Sequence, residues 1–167
     1  MTTLSTWIPG VPVPQGSLSA FPITRKDGKP GVRFANKKGA ELKEQRERIR
    51  LLVGRDMQQN GLPLAPRGAV VVMATFVLPR PPSHYGTGKN AGTLRSSAPK
   101  WHTSKPDVDK FARALLDSLG CQRVAGGKSV PGIGYHDDAQ VDRIQASKRW
   151  VTPGNSPGID LRLEWLD

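Results

Sequence analysis

Ala69-Val70-Val71-Val72-Met73-Ala74-Thr75-Phe76-Val77-Leu78 is a nearly continuous run of apolar and β-branched side chains, opened by Gly68 and closed by Pro79, Pro81 and Pro82. Such a run suits a strand covered on one or both faces, and therefore a central one. Helical spacing stands on both sides of it. Upstream, Leu42, Ile49, Leu52, Val53 and Met57 predict a helix over about 40–59, closed by Asn60-Gly61. Downstream, Val108, Phe111, Ala112, Leu115 and Leu119 share one face and predict a second helix over 108–119, with Gly120 as its stop.

Working outward, residues 4–13 read as extended, with Trp7, Ile8, Val11 and Val13 set between Pro9, Gly10, Pro12 and Pro14. Prolines confine such a strand to an edge or its end. A polar, glycine-containing loop is expected over 15–31 and a further extended piece over 32–35. Beyond the second helix come a Gly-rich loop, 120–136, and two strands, about 139–151 and 159–165. The last alternates Ile159, Leu161, Leu163 and Trp165 with Asp160, Arg162 and Glu164. The order is β-α-β-α-β-β, an α+β class in which a small mixed sheet packs with two helices. A chain of 167 residues suits one domain, 1–167, with one continuous core.

The net charge is +11 and the isoelectric point near 10.3, so the expected partner is a polyanion, and nucleic acid first of all. The segment 83–105 concentrates this property. It is a long Gly/Ser-rich loop carrying Lys89, Arg95, Lys100 and Lys105 among Tyr85, Trp101, His84 and His102, composed for a flexible contact with a nucleic-acid backbone. On the first helix, Lys43, Arg46, Arg48, Arg50 and Arg55 against Glu41, Glu44 and Glu47 read as solvated i,i+4 pairing. No apolar run approaches the ~20 residues that span a bilayer, and no signal pattern opens the chain, so a cytoplasmic protein with no membrane contact is expected. Cys121 is the only cysteine, which excludes an intrachain disulfide and a cysteine-based zinc site. No phosphate loop, dinucleotide fingerprint or paired zinc histidines occur, so no small-molecule cofactor is expected.

What stands out is the placement of acid. Four of only 14 acidic residues form two tight pairs, Asp107-Val108-Asp109 and Asp137-Asp138, each at the start of an element. Singly, each pair has an ordinary explanation: Asp at a helix start caps free N–H groups, and Asp-Asp before a strand makes a turn. Together they read differently. A crossover connection can return residue 138 toward residue 107. Carboxylates that meet repel one another unless a divalent cation lies among them, and hard oxygen donors suit Mg²⁺, with Mn²⁺ as a substitute. Arg113, four residues after Asp109, lies one turn further on the same helix face, placed to receive a phosphate.

Lys105-Pro106-Asp107-Val108-Asp109-Lys110-Phe111-Ala112-Arg113-Ala114-Leu115-Leu116-Asp117-Ser118-Leu119, followed by His136-Asp137-Asp138-Ala139-Gln140-Val141, resembles the signature of the RusA-type Holliday junction resolvases of bacteria and their phages. The opening Pro12-Val13-Pro14-Gln15-Gly16-Ser17 is similar to the N-terminal strand and loop of the phage members. The resemblance implies a homodimer that binds branched DNA and cuts four-way junctions symmetrically with Mg²⁺, in recombination and repair. It makes Asp107, Asp109 and Asp138 the acidic catalytic and metal-binding residues. Arg113 stands where members often have Lys, and Lys110 where Asn is common. Lys100, Lys105, Lys110, Arg113 and Arg95 are the expected DNA contacts. Two rivals remain: a basic DNA-binding module without catalysis, and a nuclease of the same chemistry acting on flaps or forks.

Overall fold

The computed structural model describes residues 1–16, 19–35, 38–123 and 127–166. β1 (Thr2–Pro9) is followed by β2 (Ser19–Thr24), β3 (Pro30–Ala35), α1 (Gly39–Gln59), β4 (Ala69–Leu78) and α2 (Val108–Leu119). A short ribbon, β5 (Gln122–Arg123) with β6 (Ser129–Val130), precedes β7 (Val141–Trp150) and β8 (Gly158–Leu166). The main sheet runs β1-β8-β4-β7. β8 is antiparallel to β1 and to β4, while β7 is parallel to β4. The fold is α+β with a mixed sheet and two helices, and the continuous apolar run lies inside the sheet. Among the described residues no helix is long and apolar enough to cross a membrane.

Strand periodicity builds the core. Val70, Val72, Ala74, Phe76 and Leu78 alternate onto the helix side of β4, where the register sets Leu163, Leu161 and Ile159 beside them. β1 continues the row with Leu4 and Ile8. The helices close over this face with Ile49, Val53 and Met57 from α1, and Phe111, Leu115 and Leu119 from α2. The rings of Phe111 and Phe76 stack with centroids 5.1 Å apart, seating α2 on β4. Each such side chain contributes roughly 1.5–3 kcal/mol by leaving water.

A parallel pair cannot be joined by a tight turn, so β4 reaches β7 through α2. A helix in such a crossover runs opposite to both strands. β7 therefore starts at the C-terminal end of α2 and finishes at its N-terminal end.

Several expectations change at their edges. The first strand ends at Pro9, because Gly10 turns the chain with φ +111°. The loop expected over 15–31 contains β2, which pairs with β3 from Ser19↔Ala35 to Thr24↔Pro30. Its turn is closed by Arg25 N–H to Lys29 O at 2.8 Å and uses Gly28 at φ +78°. Pro22 hides this strand in the sequence, and a two-stranded ribbon tolerates it because one side of each strand is unpaired. Ser17, the last residue of the opening motif, lies outside the described residues, as do 124–126 of the Gly-rich loop. That loop also holds the β5–β6 ribbon, and β7 begins at Val141 because Asp138–Gln140 form a 3-10 turn. Within 83–105 stand a 3-10 turn at Gly88–Asn90 and bridges of Tyr85 with Leu94 and Gly86 with Ala91.

Between β1 and β2, residues 12–15 pass between the two helices. Gln45 of α1 is buried and reads this backbone as a strand would: its Oε1 accepts from Val13 N–H at 2.6 Å and its Nε2 donates to Val13 O at 2.9 Å. Gln15 N–H then donates to Lys110 O at 3.0 Å. Gln45→Met keeps the volume but strands two buried backbone groups, each costing about 1–3 kcal/mol. Chemical denaturation of this variant is expected to show a loss of about 2–5 kcal/mol with an unchanged m-value.

Candidate active site

At the N-terminal end of α2, Asp107 occupies the N-cap position with φ −72° and ψ 147°, yet its side chain makes no capping hydrogen bond. Its carboxylate instead faces Lys110 Nζ at 3.1 Å. The ordinary explanation for an acid at this place is thus not the one realised. Asp109 follows in the first turn, and both it and Arg113, one turn on, are exposed. Lys148 of β7 secures the approach, donating to Pro106 O at 2.8 Å and to Ser104 O. The end of α2 that carries Asp107 is therefore tied to the end of β7.

At the other end of α2 the second acidic pair divides its labour. Asp137 is a capping residue: its Oδ1 accepts from Ala139 N–H at 2.8 Å, and Gln140 Oε1 accepts in return from Asp137 N–H at 3.1 Å. Gln140 also anchors the turn through Nε2 to Gly68 O at 2.8 Å. Asp138 takes no part in this box. Its carboxylate lies against Gly120 and Tyr135: a Cβ on Gly120 would stand 2.7 Å from Asp138 Oδ1 and 2.8 Å from the Tyr135 ring. Although Asp138 keeps an exposed edge, desolvation against these neighbours raises its pKa from the ordinary value, Asp117 and then Asp137 raise it further, and a hydrogen bond from Tyr135 opposes the shift. Tyr135 is buried, donates its hydroxyl to Leu116 O at 2.8 Å, and is held un-ionised first by that burial.

Two arginines of α1 build this end. Arg50 donates to Ser118 O at 3.1 Å, to Gly120 O at 3.2 Å and to Pro131 O, satisfying carbonyls that the end of α2 leaves open. Arg46 meets Asp117 at 2.9 Å and Gln15 Oε1 at 3.0 Å. These two depart from the expected solvated pairing on α1, which Lys43–Glu47 at 3.9 Å and Arg48–Glu44 at 3.4 Å do follow. The sequence reading missed Asp117, Tyr135, Arg50 and Lys148. The spacing Asp109, Arg113, Asp117 at i, i+4 and i+8 carried a signal for the first, since it makes one charged stripe along α2.

One chain thus brings Asp138 beside Asp117, but it separates Asp138 from Asp107 by the length of α2, about 18 Å for 12 residues. The crossover is the cause, because it delivers the start of β7 to the far end of the helix. The carboxylate oxygens suit a hard divalent cation in kind. In number they fall short within one chain: among the described residues no three His, Cys, Asp or Glu side chains stand where they could hold a metal ion.

The basic segment is fastened beside the Asp107 end. His102 stacks on Trp150 of β7 at 3.9 Å, His84 meets the same ring edge-on at 5.0 Å, and Trp150 Nε1 donates to Trp101 O at 3.1 Å. Arg95 Nε donates to Tyr85 O at 2.7 Å, Lys100 lies over the exposed Trp101 ring at 5.3 Å, and Lys105 is exposed. Lys110 faces Asp107, Lys148 holds the carbonyl just before it, and Lys105 and Arg113 stand exposed on either side in sequence.

The model of the family described as Endodeoxyribonuclease RusA matches residues 9–164 of the 167. The chain belongs to the RusA family. No curated protein matches it. The matched stretch takes in both acidic pairs and all of α2. As a RusA family member the protein is an endodeoxyribonuclease.

The raised pKa of Asp138 has a direct thermodynamic consequence. A carboxyl whose pKa is higher folded than unfolded costs stability once it is ionised, and costs nothing below its unfolded value. Asp138→Asn is therefore expected to raise Tm at pH 7, with the gain vanishing as pH falls below about 4. Asp137→Ala is expected to lower Tm by a few degrees, matching loss of a cap worth about 1 kcal/mol. Calorimetry at the two pH values checks both signs.

Proposed function

We propose that this endodeoxyribonuclease resolves four-way DNA junctions as a homodimer, hydrolysing phosphodiesters with Mg²⁺ in DNA recombination and repair. The family match over 9–164 carries this reading, supported by Asp107 standing at a helix start without capping it. We take the chain as one nuclease domain, working on DNA in the cytoplasm of a bacterial or phage-infected cell.

Asp107, Asp109 and Asp138 are the residues that would hold the cation. Mg²⁺, when bound, supplies charge neutralisation at the phosphate and polarises a water. Everything else is the chain's own work. Arg113 receives the scissile phosphate on the face it shares with Asp109. Lys110, which faces Asp107 at 3.1 Å, holds that carboxylate and gains phosphate contact when DNA arrives. Lys105, Lys100 and Arg95 grip backbone on either side, giving affinity without sequence choice. Trp101, exposed beside Lys100, offers a face for an unstacked base at the branch. Two symmetric incisions call for two sites related by a two-fold axis.

Incubating the purified protein with a labelled four-way junction, a flap and a linear duplex, in Mg²⁺ or EDTA, tests the substrate directly. Paired cuts in the junction with Mg²⁺ are expected. Preferential cutting of the flap assigns the fork and flap substrate instead, and binding without any cutting contradicts the catalytic reading.

Asp107→Asn, Asp109→Asn and Asp138→Asn are each expected to slow single-turnover cleavage by more than about 100-fold, beyond the loss typical of an outer-shell partner. Junction affinity should be kept or improved, since a negative charge facing phosphate has gone. Arg95→Ala with Lys100→Ala should show the reverse profile, weaker binding with a near-normal rate at saturation. Affinity should fall with salt at about −0.9 per phosphate neutralised, and an affinity flat in salt would contradict the basic segment's role.

A further inference from the structure

β2 and β3 form a ribbon outside the main sheet. They pack chiefly on each other, and the buried core draws no side chain from either strand. Every residue from Ala20 to Pro30 is exposed, and the apolar Phe21, Ile23 and Val32 are 39%, 41% and 58% exposed. A lone two-stranded hairpin is marginal in water, so a partner that covers one face stabilises it.

The two strands give that face a definite chemistry, because directly opposed residues lie on the same side of a ribbon. Phe21 stands opposite Arg33 and Ile23 opposite Gly31. Arg25 continues this side and folds over Gly31, where a Cβ would stand 2.8 Å from its Nε. Two arginines thus flank two apolar side chains. At the tip Asp27 Oδ1 accepts from Lys29 N–H at 3.2 Å. Arg25, Lys26, Lys29 and Arg33 against this one acid leave a charge of +3 over 19–35. Such a charge repels a second copy of the ribbon and attracts a polyanion. Strand addition is hindered as well, since Pro22 offers no N–H to the open edge of β2.

The ribbon is rooted beside the Asp107 end of α2. On the way in, Gln15 N–H donates to Lys110 O at 3.0 Å; on the way out, Lys38 lines the same cleft as Lys105 and Pro106. The four residues to Ser19 span at most about 14 Å, and a six-residue strand adds about 20 Å. The tip therefore stands within about 34 Å of Lys110, or about ten base pairs along a duplex. A B-form major groove, about 12 Å wide, admits a two-stranded ribbon, whereas the minor groove is about 6 Å wide.

We propose that the β2–β3 ribbon enters the major groove of a duplex arm, with Phe21, Ile23, Arg25 and Arg33 against base edges and Lys26 and Lys29 on the flanking phosphates. Apolar side chains suit thymine methyl groups there, and arginine suits guanine O6 and N7. The proposal rests on the reading of branched DNA as substrate and goes beyond it. It gives the protein a second hold on the duplex, apart from the acidic residues and from 83–105.

Binding to a labelled four-way junction, followed by fluorescence anisotropy in EDTA, tests the ribbon without any cutting. Lys26→Ala with Lys29→Ala should weaken binding and flatten its salt slope by about 1.8, at about 0.9 per phosphate. Phe21→Thr with Ile23→Thr keeps strand propensity and should leave the slope as in wild type. This second pair should instead expose to dimethyl sulfate a stretch of guanine N7 atoms, in one duplex arm, that the wild type protects. Either variant binding and protecting DNA as the wild type does would overturn the proposal. Ribbon-dependent protection of adenine N3, which faces the minor groove, would also overturn it. So would a large fall in Tm for Phe21→Thr with Ile23→Thr, because the face would then already be covered by protein. If the wild type binds the junction but cuts no branched DNA in Mg²⁺, the nuclease reading fails, and the measurements in EDTA still decide the ribbon.

Discussion

The parallel pairing of β4 with β7 is the constraint on which the remaining structure depends. It forces a crossover, the crossover is α2, and α2 must run against both strands to cover them. Phe111, Leu115 and Leu119 fix its rotation by burying one face against Phe76 and its neighbours. Once that face is buried, Asp109 and Arg113 have only the outside left to them. The two acidic pairs then stand at opposite ends of one short helix, because the sequence places one before the helix and the other before β7. The geometry of the candidate site follows from sheet topology before any question of catalysis arises.

The far end of α2 is held by contacts from α1 and from the loop that follows the helix. Arg50 gathers three carbonyls from the end of the helix and the loop beyond it. Gly120 leaves room for Asp138 where a methyl group would collide with its oxygen, and Gly132 lets the chain pass Tyr135 where a Cβ would strike its carbonyl. Asp138 keeps an exposed edge there, beside Asp117 and against the Tyr135 ring, and desolvation on that side raises its pKa from the ordinary value. Asp137, its neighbour, repays its place by capping a turn.

Much of this was legible in the sequence, in proportion to how local each signal is. The 69–78 strand came from its continuous apolar run between Gly68 and the prolines, both helices came from 3.6-residue spacing with a stop signal, and α2 matched residue for residue up to its stop at Gly120. β2 was hidden by Pro22, whose cost vanishes in a ribbon with a free side. The two acidic pairs were visible as unusual, and Asp137 as a turn former, but their separation was not: a crossover helix carries the chain away from where it began, so adjacency of elements did not mean adjacency of residues 107 and 138. Arg46 and Arg50 looked like solvated partners for α1's own glutamates, since no local pattern reveals that a second helix ends beneath them. Conversely, the +11 charge and the aromatic residues of 83–105 predicted a surface for polyanions, and the structure fastens those residues through Trp150 beside Asp107.

The central claim is that Asp107, Asp109 and Asp138 act on one cation despite the length of α2 between them in a single chain. Carbon-13 NMR of aspartate side-chain carboxyls during Mg²⁺ titration reads this directly, without DNA or cleavage. The account predicts that the Cγ resonances of these three residues shift together with a single midpoint, while Asp142 and Asp160 stay near their starting positions. Shifts confined to Asp107 and Asp109, with Asp138 unmoved at saturation, would contradict it.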